Sequence, residues 1–380
     1  MKEKAENRKK KKKHSKAGKI GMTIAIVIAS ILLLTVVTLA ILYHSGKSRL
    51  YAKAGRALPE AMVSSDTDLE IAKDKAQLAT VAWQDNWIAY DGKIYEYNED
   101  TINLLFLGID QHGFLQKETD YSNWESGQAD AIFVLSLNPT DKTMKIVAIP
   151  RNSMVELNIY DANGMIANQI RNQICLQYGY AGGGKNGMEE MKRAVSEVLY
   201  DLPIHGVTVI AYDAISMLND MIGGVDVVVL EDITQYDPIM VQGENVHLMG
   251  EHAYLYVQYR DVTKVGSPTA RLQRQKQYLS AFVEQAKIRA KQNILIVTDM
   301  YRGLEDYMKT DITLDEAVYL ATEVLDYSFD LNSIFLLAGK DCTTSFISED
   351  GTEDFYDDYE LDEENLKKTV IDVFYNEVRF

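Results

Sequence analysis

The chain has 380 residues, with 39 Lys+Arg against 56 Asp+Glu and a formal charge of −17. That figure conceals a split: residues 1–19 hold ten basic and two acidic side chains, or +8, and the rest of the chain carries −25. A body this acidic repels nucleic acid and anionic lipid, so a polyanionic ligand must meet a local cationic cluster or a metal ion. Hydrophobic content of 47% and 23 Tyr call for a packed fold rather than disorder, and two cysteines exclude a disulfide scaffold.

In chain order, the first element is an uncharged run of 24 residues, Ile20–Tyr43. At helical rise it reaches about 36 Å, enough for a hydrocarbon core of about 30 Å, and it is longer than the roughly 7–15 residues of a signal-peptide core. The Lys9–Lys13 cluster precedes it, and only Lys47, Arg49 and Lys53 follow closely. The positive-inside rule therefore predicts a single-pass anchor at the cell membrane, with the N-terminus cytoplasmic and the acidic body extracellular. Membrane lipid is the expected partner of the basic head. The expected layout is a cytoplasmic head (1–19), a transmembrane helix (20–43), an extracellular tether with a small hairpin (44–100), a main domain (101–340), and an acidic loop with a C-terminal helix (341–380). Cys175 and Cys342 fall outside the membrane, where a disulfide is permitted, but lack a framework spacing.

Within Trp87–Tyr97, Asp91-Gly92 between alternating apolar residues signals a two-residue hairpin. Ile102–Ile109 reads as a strand ending at Asp110, and residues 111–129 as a polar loop. Ala131–Asn138 and Lys145–Ile149 read as a second hairpin. Met188–Leu199 has a helical apolar face, His205–Ala211 is strand-like, and Ala214–Ile222 is a short helix that Asp213 could cap and Gly223-Gly224 could end. A strand at Val225–Leu230, helices at Gly250–Arg260, Arg271–Lys291 and Leu314–Leu325, and a strand at Ser333–Leu337 complete the pattern. Residues 349–364 contain ten Asp/Glu, expected as a solvated loop before a helix carrying Leu366, Val370, Val373 and Phe374. This mixture predicts an α/β fold: a layered α-β-α domain, with a central mixed sheet flanked by helices, behind one N-terminal transmembrane helix.

Cys-x-x-Cys, His-Glu-x-x-His and Gly-x-Ser-x-Gly are all absent from the sequence. Gly179–Lys185 fits Gly-x-x-x-x-Gly-Lys, but Asn186 stands where a phosphate-binding loop needs Ser or Thr for magnesium, so a glycine loop entering a helix is the better reading. His247 and His252 are five apart, off a common helical face, and read as structural. The arginines are more informative. Arg151 follows Pro150 at a strand end, Arg260 ends one helix, and Arg271, Arg274 and Gln275 open the next, where guanidinium groups near a helix start suit phosphate oxygens. An ordinary exposed Arg/Gln helix face is the competing reading. Asp110 and Asp130 flank apolar strands, where paired carboxylates can hold a hard cation such as Mg²⁺. Strand-end aspartates are also common turn formers.

These segments, in this order, resemble the LytR-CpsA-Psr family of cell-envelope glycopolymer transferases. Asn103–Asp110 resembles the opening strand, Ala129-Asp130-Ala131 a Ser-Asp-Thr segment, and Lys145–Arg151 with Asn152 a Ser-Ile-Pro-Arg-Asp signature. Ile222–Val227 is similar to a Gly-Gly-Val strand, Arg271–Gln275 to an Arg-x-x-Arg-Gln helix, and Lys309–Thr313 with Leu337–Gly339 to the C-terminal portion. The resemblance covers roughly residues 101–340 plus the anchor.

It implies transfer of a glycopolymer from a polyprenyl-pyrophosphate carrier to a muramyl hydroxyl of peptidoglycan, forming a phosphodiester and releasing polyprenyl phosphate. By carry-over, Asp110 and Asp130 would bind Mg²⁺, with Mn²⁺ as the alternative ion. Arg151, Arg260, Arg271, Arg274 and Gln275 would clamp the pyrophosphate, with Arg151, Asp130 and Arg271 as the catalytic set. An apolar tunnel would take the prenyl tail. The chain also departs from the pattern. Gln258 stands where an arginine is usual, no Asp precedes Arg271 in the Pro268 run, and Gln173 replaces a basic residue for which Arg171 could substitute. Those departures keep a non-catalytic pyrophosphate-lipid or wall-polymer binder as a rival. A transcriptional regulator would require DNA to meet the −25 body or a short head across the membrane, and nucleic acid is not an expected partner.

Overall fold

The computed structural model describes residues 37–53, 59, 62, 64–115, 121, 126–259, 267–347 and 353–379. Residues 37–53 are helical (α1), and α2 (Asp66–Leu78) begins at Ser65, whose side chain accepts from the Asp68 N–H. Next comes the expected hairpin: Asp91 and Gly92 both take positive φ, 48° and 66°, between β1 (Trp87–Tyr90) and β2 (Lys93–Tyr97). β3 (Ile102–Ile109), β4 (Ala129–Asn138) and β5 (Thr143–Ala148) follow as an antiparallel meander. Then comes a hairpin that periodicity did not signal, β6 (Met154–Tyr160) and β7 (Ile166–Gln173). β7 reads IANQIRNQ, too polar for an apolar alternation to reveal it.

The short helix α3 (Gln177–Tyr180) leads through the glycine loop into α4 (Gly184–Val198). Gly183 has φ 67°, and an added Cβ there would meet Ser126, so the glycines serve a tight turn into the helix. β8 (Gly206–Ala211), α5 (Asp213–Met221), β9 (Val225–Val228), β10 (Asn245–Leu248), α6 (Glu251–Gln258) and α7 (Ser267–Gln292) come next. They are followed by α8 (Ile296–Gly303), β11 (Met308–Thr310), α9 (Leu314–Val324) and β12 (Ile334–Leu336). The acidic stretch corrects the sequence reading. Glu353–Leu361 is β14, paired with β13 (Gly339–Ile347), so much of it is a strand before α10 (Glu363–Phe374) and β15 (Tyr375–Glu377).

The central sheet has the order β11-β8-β3-β4-β5-β12, with β3/β8 and β5/β12 parallel and the other pairs antiparallel. Strand periodicity sorts its two faces. Leu105, Leu107 and Ile109 pack with Met191, Val195, Val370 and Phe374 of α4 and α10. Ile102 and Leu104 pack with Tyr319 and Leu320 of α9 and with Leu50 of α1. Helices thus cover both faces of a mixed sheet, as expected.

The tether is more tightly held than the sequence suggested. Leu50 is fully buried, Ser45 Oγ donates to Asp315 (2.8 Å), and Lys53 Nζ pairs with the buried Glu316 (2.7 Å). β15 joins β2, tying the N-terminal hairpin to the C-terminus. Among the described residues no helix is long and apolar enough to cross a membrane. The Ile20–Tyr43 run lies mostly outside them. Cys175 and Cys342 are both free.

Candidate active site at the ends of β3 and β4

β3 and β4 finish side by side. The Asp110 N–H donates to Gln128 O (3.0 Å), and the Gln128 N–H returns to Asp110 Oδ1 (2.5 Å). Opposite Gly108 and Ile109 stand Ala131 and Ala129, which leaves Asp130 as the extra residue of a β-bulge. Bulges re-aim the side chain they carry. Asp130 Oδ1 lies 3.0 Å from Nε of Arg151, just beyond β5, and Asp130 Oδ2 accepts from the hydroxyl of Tyr212, the residue between β8 and α5. Arg151 Nη2 donates to Gln128 Oε1 and lies 3.4 Å from Cys175 Sγ.

Burial works against the Arg151 charge, but Cys175, Asp130 and Asp110 outweigh it and raise the guanidinium above its ordinary range. Burial first, then the hydrogen bond to Asp130, pushes the Tyr212 hydroxyl far upward, so Tyr212 acts as a donor. Burial likewise raises the Cys175 thiol, against an opposing pull from Arg151.

A cavity of about 400 Å³ opens beside Asp130. Gly108, Ala131, Ile210, Ala211 and Tyr212 of the strand ends line one part of it. Tyr254–Tyr259, together with Ile233, Tyr236, Asp237 and Met240 of the β9–β10 connection, line another. Arg271 and Gln275 of α7 complete the lining. Its mixture of Ile, Val, Met, five tyrosines and two aspartates differs from the purely apolar tunnel expected. A larger cavity, about 830 Å³, lies around Trp83, Trp87 and Tyr375, away from every residue proposed for phosphate chemistry.

The structure brings Asp110, Asp130 and Arg151 together and sets Arg271 and Gln275 on the cavity that Asp130 lines. Two other candidates belong elsewhere. Arg274 is 1% exposed: Nε donates to Tyr256 O (2.9 Å), Nη2 to Tyr259 O, and Nη1 pairs with Glu231. It lies one turn from Arg271 on the same side of α7, but its guanidinium is committed to Glu231 and the Tyr256 and Tyr259 carbonyls and does not line the cavity. Burial lowers its guanidinium to about 10, and it serves to fasten the β9–β10 connection to α6 and α7. Arg171, on β7, holds both oxygens of Glu360 (2.6 and 2.5 Å) and the Met154 carbonyl, and does not line the cavity. Arg260 lies outside the described residues. Gln128, Tyr212 and Cys175 escaped the sequence reading. Tyr212 alone carried a signal, as the first residue after a strand that neighbours β3.

Asp110 and Asp130 suit a hard cation in ligand type. Among the described residues no group of three or more His, Cys, Asp or Glu could hold a metal. An ion at this pair would therefore need further oxygens from substrate or water, the usual state of Mg²⁺ at phosphate sites.

Fold and site together define a layered α/β domain with an arginine–carboxylate pair at its strand ends, beside a cavity. The chain belongs to the LytR_cpsA_psr family, whose model matches residues 63–369, well beyond the 101–340 region that the motifs cover. Polyisoprenyl-teichoic acid–peptidoglycan teichoic acid transferase TagV of Bacillus subtilis (strain 168) is 25% identical over 234 residues, 60% of this chain and 54% of that protein. The transferase of the same description named TagU, from Bacillus cereus (strain AH820), is 25% identical over 217 residues, 57% of this chain and 62% of that protein. The chain thus spans little more than half the length of the curated relatives it matches. The crystal structure of B. subtilis TagV aligns with TM-score 0.52 and 23% identity, over 72% of this chain and 97% of that one. TagT bound to LI-WTA aligns with TM-score 0.50 and 23% identity, over 72% and 91%. At these identities the structural likeness establishes the fold.

Proposed function

We propose that this chain is a membrane-anchored phosphotransferase that moves a glycopolymer from a polyprenyl-pyrophosphate carrier to peptidoglycan. The carrying observation is Asp130 held between Arg151 and Tyr212 at the edge of a cavity that also presents Arg271 and Gln275. In this reading an acceptor hydroxyl attacks the phosphorus bearing the sugar. The new P–O bond forms as the bond to the bridging oxygen breaks, the hydroxyl proton passes to Asp130 or to water, and polyprenyl phosphate leaves with the electron pair of the broken bond. Arg151 and Arg271 offer fixed positive charge to the phosphoryl oxygens as charge spreads in the transition state, so no covalent enzyme intermediate is required. Asp110 and Asp130 would hold Mg²⁺, which when bound supplies charge neutralisation at the pyrophosphate. Gln275, whose Nε2 donates to Val257 O (3.1 Å), braces α7 against α6 at the cavity. Burial of a prenyl tail would draw on Ile210, Ile233, Met240 and Val257. The uncharged run Ile20–Tyr43 and the basic head support a single-pass anchor with the domain outside.

A non-catalytic binder of the same lipid is favoured by one observation: Arg274 and Arg171 are committed to internal partners, which thins the clamp. Turnover decides between the two. The full chain in detergent, given a lipid-linked donor and peptidoglycan, should release polyprenyl phosphate, and chelation of divalent cations should abolish the release. Product no greater than that of an Arg151→Ala control would sink the transferase reading.

A further inference from the structure

Arg151 is reached by Gln128, a residue no motif singles out, and the same residue also holds Asp110. Its side-chain oxygen accepts from Arg151 Nη2, while its main-chain N–H donates to Asp110 Oδ1 at 2.5 Å. One residue therefore touches both the carboxylate that ends β3 and the guanidinium that follows β5. The local backbone is built for this. Gly127 takes φ 95°, and a Cβ added there would lie 2.5 Å from Ile109 Cγ2 and 3.1 Å from Asp110 Oδ1. A side chain at 127 would thus push Gln128 away from Asp110.

Arg151 Nη2 is held by Gln128 and Cys175, Nε lies 3.0 Å from Asp130 Oδ1 as an ion pair without an aligned hydrogen bond, and no hydrogen bond from Nη1 is found among the described residues. We propose that Gln128 is a positioning residue: it locks Arg151 in register with Asp110, so that the guanidinium and a cation held at the β3 carboxylate would meet one phosphoryl group together. This rests on the transferase reading. A neutral acceptor suits the role, because Asp130 already pairs with Arg151. A further carboxylate would keep the geometry but weaken attraction for an anion.

The test uses the full chain and three variants: Gln128→Met, which keeps the length and removes the acceptor, Gln128→Glu, which keeps the acceptor and adds charge, and Gly127→Ala. Gln128→Met should lower kcat about tenfold, the size of one hydrogen bond to a charged group, with donor KM moving less than about threefold. Gln128→Glu should restore kcat to within about threefold of the parent and raise KM. Gly127→Ala should resemble Gln128→Met. Thermal midpoints within about 2 °C of the parent would separate positioning from folding. Equal kcat for parent and Gln128→Met would overturn the proposal, as would equal impairment of the Met and Glu variants. If the parent turns over no donor, the transferase reading fails on its own, and calorimetric titration with inorganic pyrophosphate and Mg²⁺ still tests the role. Gln128→Met should then bind about fivefold or more weakly, and unchanged affinity would overturn it.

Discussion

The two ends of β3 handle polar groups in opposite ways. At its start Asn103 is buried: its N–H donates to His205 Nδ1 (3.1 Å), and its amide to Tyr97 (3.3 Å) and the Pro203 carbonyl (3.0 Å). All of these groups are neutral, and burial lowers His205 to about 4, which keeps the ring uncharged near neutrality. At its far end Asp110, Asp130 and Arg151 are charged, and Asp130 and Arg151 keep about a quarter to a third of their side chains exposed. One end turns its polar groups onto neutral partners inside the protein, with Asn103 Oδ1 left unpaired among the described residues, where α1 also packs through Leu50. The other leaves charge incompletely compensated beside a cavity. The contrast separates residues that hold the sheet from residues that can act on a ligand.

Arg151→Ala tests the acting end most severely. Losing the guanidinium should cut turnover about a thousandfold, roughly 4 kcal/mol of transition-state stabilisation. The thermal midpoint should move by only about 2 °C, because Tyr212 still holds Asp130. Steady-state kinetics and thermal denaturation of one preparation check both halves, and a large stability loss would erase the distinction between the ends. Arg274→Ala should reverse the signature. It leaves Glu231 and two main-chain carbonyls without their buried cation, which costs about 3–5 kcal/mol of stability. Chemical denaturation should register that loss, while kcat per folded molecule changes little.

Arg274 also marks where sequence reading stops. The apolar runs LLFLGID and ADAIFVL placed β3 and β4 correctly, and with them Asp110 and Asp130, because burial on both faces of a central sheet leaves a nearly continuous apolar stretch. Arg271 and Arg274 looked alike, since both open one helix. Which of them meets the cavity depends on how α7 sits against α6 and the β9–β10 connection, contacts far apart in sequence. The bulge at Asp130 is equally silent, because a slip of one residue leaves the composition of the strand unchanged. Gln128 and Tyr212 follow from that bulge and from strand neighbours that only the sheet order supplies. The polar strand β7 and the acidic strand β14 were missed for a different reason: cross-strand pairing stabilises them without an apolar face.

His205 sharpens the holding end. Its folded value near 4 lies below the ordinary value of about 6.5, so the unfolded chain takes up a proton first as pH falls. The stability it contributes is complete above about pH 6.5 and is lost progressively as pH falls toward 4. At roughly 1.4 kcal/mol per pH unit the loss reaches about 3 kcal/mol. Urea unfolding across this range should show the slope. His205→Gln, which can still accept from Asn103, should flatten it, and an identical slope in that variant would assign the titration to another group.

Tyr212→Phe makes the smallest change and divides the acting end itself. It removes the donor to Asp130 Oδ2 and leaves Arg151 on Oδ1. Loss of one of two contacts should allow Asp130 to rotate, lowering kcat about fivefold, or about 1 kcal/mol. Because burial and Asp130 hold the Tyr212 proton in place far above neutrality, the hydroxyl orients the carboxylate and does not titrate with it. The pH–rate profile of the variant should therefore run parallel to that of the parent between about pH 5 and 9. A profile that changes shape would mean that Tyr212 takes part in proton transfer, and the site would then need a base–acid pair where the present geometry has a brace.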